Sequence, residues 1–294
     1  MRDDAHAEDL RQAARVDRSD SFDLFALAVV RNALIARALR RVNYSALWRH
    51  TVRIGPDRLN APSLDRLVYL WLHKLGRFRD ADLAFLREHI RPGMHVVDVG
   101  ANVGFYSHTF AHAVGPEGTV TAFEPDPVLF AAMSASLRTN QIRNVTAHQM
   151  ALGDHAGSAH LNRGLLNSGD NRLVAAAEPS SRRDSVDAQL ATLDDVLGGT
   201  AVDFIKIDVQ GAEMGVLRGM KRTVQANSRL QLFVELWPFG LRSAGSSADE
   251  LLALVRAYGF KVEILRRDGR TDPLDFQALS TRESWYTDFY AFRA

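Results

Sequence analysis

The sequence of 294 residues contains no cysteine. Without thiols the chain can form neither disulfide bonds nor thiolate metal sites, and it has no cysteine nucleophile. The chain also lacks an excess of either charge, since 36 Lys and Arg residues balance 35 Asp and Glu residues. Charge alone therefore does not indicate a surface for nucleic acid or for an anionic membrane, and we predict no nucleic-acid partner.

Long apolar runs are missing as well. The most apolar early stretch, residues 24–30, ends at Arg31 and is far shorter than the roughly 20 residues that span a bilayer. The first 20 residues are charged and lack the apolar stretch of a secretory signal. We therefore expect no transmembrane segment, no export and a cytoplasmic location.

The N-terminal part of the chain differs in pattern from the rest. Residues 1–20 are polar and are expected to form a disordered tail. Residues 21–80 are predicted to be a helical extension, because apolar residues recur at helical spacing in two stretches. This extension could pack on the main domain or on a second copy of the chain, forming a homo-oligomer. A basic amphipathic contact with a membrane or carrier protein is the alternative.

Strand and helix patterns alternate from residue 81 to residue 294, which we predict to be one domain. The alternation implies an α/β fold with a doubly wound, mostly parallel sheet. The pattern predicts one helix over residues 214–224 and an antiparallel pair of strands, 261–265 and 285–292, at the sheet edge. The predicted parallel strands cover residues 95–99, 119–123, 145–151, 204–208 and 230–236.

Residues 162–187 interrupt the alternation. They are rich in Ser, Gly, Asn, Arg and Asp, and they form a longer connection than most compact domains contain. Two interpretations are open at this point, a substrate-facing insertion and a surface loop. We call these residues the 162–187 segment.

The first predicted strand runs into a turn that we call the glycine turn, residues 100–104. Its spacing is Asp98-x-Gly100-x-x-x-Gly104, which differs from the Gly-x-Gly-x-x-Gly of dinucleotide oxidoreductases. An acid directly before the turn would repel a pyrophosphate and suits a ligand with positive charge, such as S-adenosylmethionine. The predicted cofactor-binding residues here are Asp98, Gly100, Ala101, Asn102 and Gly104.

Further acids stand where later strands end, at the edge where doubly wound sheets bind ligands. Glu124 is predicted to accept both ribose hydroxyls, and Asp154 to meet the adenine amino group. Asp208 is predicted to bind the methionine end of the cofactor or to act in catalysis. Glu124 could instead complement a helix dipole, and Asp154 could be an ordinary residue of a Gly-Asp turn.

A hydroxyl acceptor must also lose its proton. The candidate bases are Asp208 and Glu213 at the fourth strand and Glu235 at the end of the fifth, and the sequence does not separate their roles. Trp237 and Phe239 could line the acceptor site or pack in the core.

A metal site is not expected. His108 and His112 have a spacing that can bind metal, but no third ligand is suggested. A divalent cation held by Asp208 stays open, because hard cations need only carboxylates and water.

Taken together, the motifs resemble those of FkbM-family methyltransferases in identity and order. They are Val97-Asp98-Val99-Gly100-Ala101-Asn102-Val103-Gly104, Phe123-Glu124-Pro125, Ala151-Leu152-Gly153-Asp154, Thr192-Leu193-Asp194-Asp195 and Ile205-Lys206-Ile207-Asp208-Val209-Gln210-Gly211-Ala212-Glu213.

The resemblance implies the class I methyltransferase fold, Rossmann-like, with a seven-stranded sheet whose last strand is antiparallel. It also implies S-adenosylmethionine as cofactor and O-methylation of a hydroxyl on a sugar or other secondary metabolite. Gln210 departs from the family, which more often has glutamate there, and this weakens any inference that position 210 helps in catalysis or metal binding. A nicotinamide-dependent oxidoreductase and a catalytically inert binding or assembly module are the alternatives.

Overall fold

The computed structural model describes residues 51–54, 56–60, 80–164, 168–174, 185–266, 269–274 and 287–293. The predicted tail over residues 1–20 and nearly all of the predicted helical extension lie outside these residues. Residues 51–54, 56–60 and 80 are the exceptions, and the first two of these ranges form an antiparallel hairpin. None of the described helices combines the length and apolar character that crossing a bilayer requires.

The strands and helices of the described chain follow the predicted alternation. In chain order they are β1 (Thr51–Ile54), β2 (Asp57–Asn60), α1 (Asp80–His89), β3 (His95–Val99), α2 (Phe105–Val114), β4 (Thr119–Phe123), α3 (Pro127–Thr139), β5 (Val145–His148), β6 (Ala151–Leu152), β7 (Gly157–Asn162), β8 (Arg172–Val174), β9 (Ser185–Ala191), α4 (Leu193–Leu197), β10 (Phe204–Ile207), α5 (Glu213–Arg218), α6 (Lys221–Ala226), β11 (Gln231–Leu236), α7 (Pro238–Ser243), α8 (Ala248–Ala257), β12 (Lys261–Leu265), β13 (Thr271–Pro273) and β14 (Thr287–Phe292).

The main sheet has the strand order β13-β12-β14-β11-β10-β3-β4-β5. Strands β5, β4, β3, β10 and β11 are parallel, and β14 runs antiparallel between β11 and β12. The doubly wound fold and the antiparallel last strand are therefore confirmed. The sheet has eight strands rather than seven, because the short β13 adds to its edge. Its sequence Thr-Asp-Pro carries no strand pattern, and proline is tolerated at an edge.

The central strands β3, β10 and β11 are buried on both faces. Val97, Ile205 and Val234 belong to the core on one face, and Val96, Phe204 and Phe233 to the core on the other. This arrangement explains why these strands appear in the sequence as nearly continuous apolar runs. Two fully buried charged side chains, Asp98 and Lys206, interrupt these runs.

Two predicted boundaries are wrong. A second sheet, with the order β6-β9-β7-β8, accounts for the first of them. The single strand expected over residues 145–151 is divided, since β5 ends in the main sheet and β6 pairs with β9. The helix expected over residues 214–224 is also divided, into α5 and α6. A Cβ at Gly219, between the two helices, would come within 1.9 Å of the Gly153 carbonyl oxygen, so two backbones approach closely at the break.

The β1–β2 hairpin packs against helices α2 and α3. The Asn60 N–H donates to Ser136 Oγ at 2.8 Å, and the Arg58 N–H donates to Asn140 Oδ1 at 3.0 Å. Asp57, at the start of β2, faces α2. The hairpin therefore belongs to the described domain rather than to a separate helical extension.

Candidate active site

One row of residues crosses the carboxyl edge of the four central parallel strands. In the parallel pairings, the last paired residues of these strands are Phe123, Val99, Ile207 and Val234. The next residue along each strand path is, in the same spatial order, Glu124, Gly100, Asp208 and Glu235.

Gly100 is the one member of this row without a side chain, and acids stand on both sides of it. Because neighbouring strands lie about 4.8 Å apart, the backbones at Glu124 and Asp208 are separated by roughly 10 Å. The row therefore places a residue without a side chain between two carboxyl groups.

The glycine turn joins β3 to α2 and takes its conformation from close backbone packing. Gly100 has φ +81°, and a Cβ there would lie 1.9 Å from the backbone oxygen of Asp208. Gly104 precedes α2 with φ +89°. Asn102 also has a positive φ, of +55°, which is uncommon for a residue with a side chain. This conformation lets the Asn102 N–H donate to Glu124 Oε2 at 2.8 Å.

Glu124 is oriented by two backbone donors. Besides the bond from Asn102, its Oε1 accepts the N–H of Asp126 at 2.8 Å. Burial raises the pKa of Glu124 to about 8, although both backbone hydrogen bonds act in the opposite direction. Each carboxylate oxygen has a second lone pair beyond the backbone bond, so Glu124 can still bind two hydroxyl groups.

Asp98 lies beneath the row and is fully buried. Its Oδ2 accepts the hydroxyl of Ser107 on α2 at 2.7 Å, and its Oδ1 has no hydrogen-bond partner within the described chain. Burial raises the pKa of Asp98, while Lys206 opposes the shift. The structure therefore places Asp98 under the glycine turn, and direct contact with a cofactor stays a prediction.

Lys206 connects Asp98 to the row above. Its ammonium group lies 3.8 Å from Asp98 Oδ1 and 3.3 Å from Asp208 Oδ2. It also lies 4.5 Å from the centre of the Tyr106 ring, and the Tyr106 hydroxyl donates to Asp82 Oδ2 at 2.6 Å. The structure therefore shows a buried cation between two carboxylates.

Asp208 and Glu235, which we call the rim pair, are joined by Gln210. The Gln210 amide nitrogen donates to Asp208 Oδ1 at 2.9 Å and to Glu235 Oε2 at 2.7 Å. Position 210 was discounted because it departs from the family pattern, so this contact was missed. The signal available in the sequence was an amide side chain two residues after one predicted site acid.

Glu213 is placed differently from its prediction at the catalytic rim. It is fully buried beneath the turn that follows β10, where its Oε1 accepts the N–H groups of Val209 and Gly211 at 3.2 and 3.0 Å. Burial raises the pKa of Glu213 to about 7. This carboxyl group therefore stabilises the turn, since acids at the starts of helices can accept hydrogen bonds from free backbone N–H groups.

The 162–187 segment contacts both ends of the row through its described residues. Arg163 makes two hydrogen bonds to the buried Asp126, at 2.6 and 2.9 Å. Ser168 and Asn102 are hydrogen-bonded through their side chains at 3.0 Å. The Arg172 guanidinium lies 4.3 Å from the centre of the Trp237 ring. These contacts favour the interpretation of a site-facing insertion over that of a surface loop.

Comparison with known proteins identifies the family. Residues 98–262 match the family described as the methyltransferase FkbM domain. The chain belongs to this family. It is 32% identical over 216 residues to the 31-O-demethyl-FK506 methyltransferase FkbM of Streptomyces tacrolimicus, covering 62% of this chain and 78% of that protein. It is 29% identical over 262 residues to methyltransferase sdnD of Sordaria araneosa, covering 76% and 97%.

Solved structures show weaker similarity. An S-adenosylmethionine-dependent O-methyltransferase from Thermotoga maritima aligns with a TM-score of 0.43 and 14% identity, covering 83% of this chain and 77% of that one. The family match, and not this alignment, favours methyl transfer over the nicotinamide oxidoreductase that the sequence left open.

Asp154 lies apart from the row in this FkbM-family methyltransferase. It follows β6 and is partly exposed, and its Oδ1 lies 2.6 Å from His155 Nδ1. Its assignment to the adenine amino group stays a prediction. Phe239 is about half exposed beside Trp237, with ring centres 5.5 Å apart, so these two aromatic residues form a surface next to Glu235.

His108 and His112 both contact a carboxylate of the hairpin. Asp57 Oδ2 lies 2.9 Å from His108 Nδ1 and 2.8 Å from His112 Nε2. Within the described ranges no group of three or more His, Asp or Glu residues is placed to hold a metal ion. The two histidines therefore attach the hairpin to α2, and whether a divalent metal takes part in the reaction stays a prediction.

His108 should make the protein less stable in acid. Burial lowers its pKa below the ordinary 6.5, so the unfolded chain takes up a proton below that pH while the folded chain resists it. The free energy of unfolding should therefore fall as the pH drops below 6.5, with a slope of up to about 1.4 kcal/mol per pH unit from this group. Urea unfolding at pH 5–8 should show a shallower slope for His108→Asn. The exposed His155→Asn control should keep the wild-type slope, and identical slopes for all three proteins would contradict the assignment.

Proposed function

We propose that this FkbM-family methyltransferase moves the methyl group of S-adenosylmethionine to a hydroxyl group of a small molecule. The observation that carries the proposal is the row of acids at the carboxyl edge of the sheet, with Glu124 on one side of Gly100 and Asp208 and Glu235 on the other. A ligand with vicinal hydroxyls at one end and positive charge at the other suits this distribution of acids.

The acidic side chains of the row fit such a cofactor. Glu124 has spare lone pairs for two ribose hydroxyls, because its backbone donors use one lone pair of each oxygen. Asp208 offers negative charge to the cationic end of the cofactor, and Lys206 donates a hydrogen bond to Asp208 Oδ2. When bound, the sulfonium supplies a methyl carbon already activated for displacement.

The chain must then mainly position the acceptor. Holding two reactants in line is a source of up to roughly 7–11 kcal/mol in well-oriented systems. Trp237 and Phe239 offer apolar surface to the acceptor beside Glu235, and Arg172 covers Trp237. Asp208 or Glu235 accepts the hydroxyl proton. A small-molecule hydroxyl as acceptor is also in keeping with the name of the Streptomyces relative, which denotes methylation at an oxygen.

Calorimetry with S-adenosylhomocysteine tests the cofactor. At pH 9, where Glu124 is ionised, the wild-type protein should bind it, and Glu124→Ala should bind at least about 10-fold more weakly, because hydrogen bonds to a charged group contribute about 1.5–3 kcal/mol each. The exposed Glu117→Ala serves as the matched control and should bind as the wild type does. Absence of binding by the wild-type protein would refute the proposal.

The affinity should also depend on pH through Glu124. With a pKa of about 8, this carboxyl group is largely protonated at pH 7, and only the ionised form accepts from both ribose hydroxyls. Affinity should therefore rise up to tenfold per pH unit below pH 8 and level off above it. In Glu124→Gln this component should disappear. A wild-type curve parallel to that of Glu124→Gln between pH 6 and 9 would count against a role of Glu124 in ribose binding.

Turnover distinguishes an enzyme from an inert binding module. Labelled S-adenosylmethionine should transfer its methyl group to members of a panel of small-molecule hydroxyls and not to the matching amines. Cofactor binding without transfer to any hydroxyl, amine or carboxyl acceptor would favour the binding module.

A further inference from the structure

We infer that Gln210 is a positioning residue that keeps both carboxylates of the rim pair ionised and available for proton acceptance. The inference rests on the proposed function and adds a residue that the motifs did not assign. It begins from one amide nitrogen that donates to two carboxylates on neighbouring strands.

The backbone at Gln210 is built for this contact. Gln210 has φ +54°, a conformation that residues with side chains seldom adopt. The residues on either side are held by the buried Glu213, which accepts the N–H groups of Val209 and Gly211. A Cβ at Gly211 would lie 2.5 Å from the backbone oxygen of Gly240. The turn is therefore held from below by a carboxyl group and from the side by a backbone.

The electrostatic effect of Gln210 follows from its two N–H groups. A carboxamide nitrogen has two N–H groups and no charge, so Gln210 can stabilise the charged form of both acids at once. Without a donor between them, two neighbouring carboxylates repel, and the pair takes up a proton at higher pH. Gln210 thus permits two close negative charges at the place where the acceptor hydroxyl must lose its proton.

Other charged groups also face the rim pair. Lys206, on β10, lies 3.3 Å from Asp208 Oδ2 and favours its charged form. Three acids oppose it: Asp98 on β3 and Glu213 on α5, both electrostatically coupled to Asp208, and Asp288 on β14, which is paired in register with Glu235. Among the described residues, acids therefore outnumber cations around the rim pair. The hydrogen bonds from the uncharged Gln210 amide then matter more for keeping both carboxylates ionised.

The proton balance of the transfer is simple. The acceptor oxygen forms a bond to the methyl carbon as the carbon–sulfur bond breaks and the sulfur keeps the bonding electrons. The hydroxyl proton passes to a carboxylate of the rim pair. The products are a methyl ether, S-adenosylhomocysteine and a protonated carboxyl group, which returns its proton to water.

The test compares kcat as a function of pH in wild type, Gln210→Met and Gln210→Glu. Methionine keeps the length of the side chain without its N–H groups, and glutamate adds a third carboxylate. We expect the acid limb of the profile to move upward by at least one pH unit in Gln210→Met, and further in Gln210→Glu. At pH 6, kcat of Gln210→Met should fall at least 10-fold, while at pH 9 it should stay within 3-fold of wild type.

Gln141→Met is the matched control, because Gln141 is exposed and also has a positive φ, of +58°. It should leave the profile unchanged. An equal loss of activity at every pH in Gln210→Met would show a merely structural role and overturn the inference, as would a profile identical to wild type.

A second measurement does not need turnover. Titration of ¹³C-labelled Asp and Glu carboxyl groups by NMR should show one carboxyl of the rim pair taking up a proton at higher pH in Gln210→Met than in wild type. If wild type transfers no methyl group but this shift is seen, the proposed function fails while the role of Gln210 stands. An unchanged titration would refute the role of Gln210 itself.

Discussion

Replacing Gly100 with alanine is expected to abolish measurable binding of S-adenosylhomocysteine and to destabilise the fold by about 2–6 kcal/mol. The added Cβ would lie 1.9 Å from the backbone oxygen of Asp208, and a backbone atom cannot rotate away. Overpacking costs about 1–3 kcal/mol, and a residue with a side chain at φ +81° adds about 1–3 kcal/mol. Removing this clash would require the glycine turn to move away from β10. That movement would separate Glu124 from Asp208 in the row.

Gly93→Ala separates these two causes. Gly93 has nearly the same backbone conformation, with φ +85°, but a Cβ there meets no atom within 4 Å. It should lose only the conformational part of the free energy of unfolding and should bind S-adenosylhomocysteine normally. Urea unfolding and calorimetry on both variants measure the difference. Equal losses for Gly93→Ala and Gly100→Ala would mean that contact with β10 is unimportant.

Replacing Lys206 with methionine is expected to cost about 3–5 kcal/mol of unfolding free energy at pH 7, because removing one partner of a buried ion pair leaves an uncompensated charge. Asp98 would lose its only nearby cation in the described chain while staying fully buried. Asp208 would lose the same cation at 3.3 Å. Urea unfolding at pH 7 measures the loss.

Asp98→Asn combined with Lys206→Met tests the charge explanation. The double variant removes the buried carboxylate but keeps an oxygen that can accept from Ser107, so it should recover at least half of the loss. Lys221→Met, at an exposed position, should change the free energy of unfolding by less than about 0.5 kcal/mol. If Lys206→Met were as stable as Lys221→Met, the cation would not be needed between the acids.

Much of the fold could be predicted from local patterns. The apolar runs of β3, β10 and β11 are long enough to identify buried parallel strands, and the register of these strands brings Glu124, Asp208 and Glu235 into one row. The position of these acids directly after apolar runs was sufficient to predict that they share one edge of the sheet. Strand β6, which was predicted as part of one strand with β5, and strand β13, which was not predicted, have only two or three residues and carry little pattern.

The roles of individual side chains were harder to predict. Glu213 was expected at the rim but lies buried beneath a turn, and Gln210 was discounted but joins the rim pair. Both outcomes depend on the path of the backbone after β10, where Gln210 and Gly211 have positive φ. Such a turn is determined by neighbours from distant parts of the chain, including Gly240.

The sequence by itself determined the class of the protein: the alternating strands and helices, the acids at strand ends and the FkbM motifs are all local in the chain. Only the tertiary structure decided which acids lie at the carboxyl edge of the sheet and which stabilise the framework. Asp98 and Asp208 share Lys206 across neighbouring strands, and the 162–187 segment reaches Asn102 over 66 residues of chain. The physical reason is that burial and hydrogen-bond partners, which set the charge state and the reach of each carboxyl group, arise when distant segments pack together.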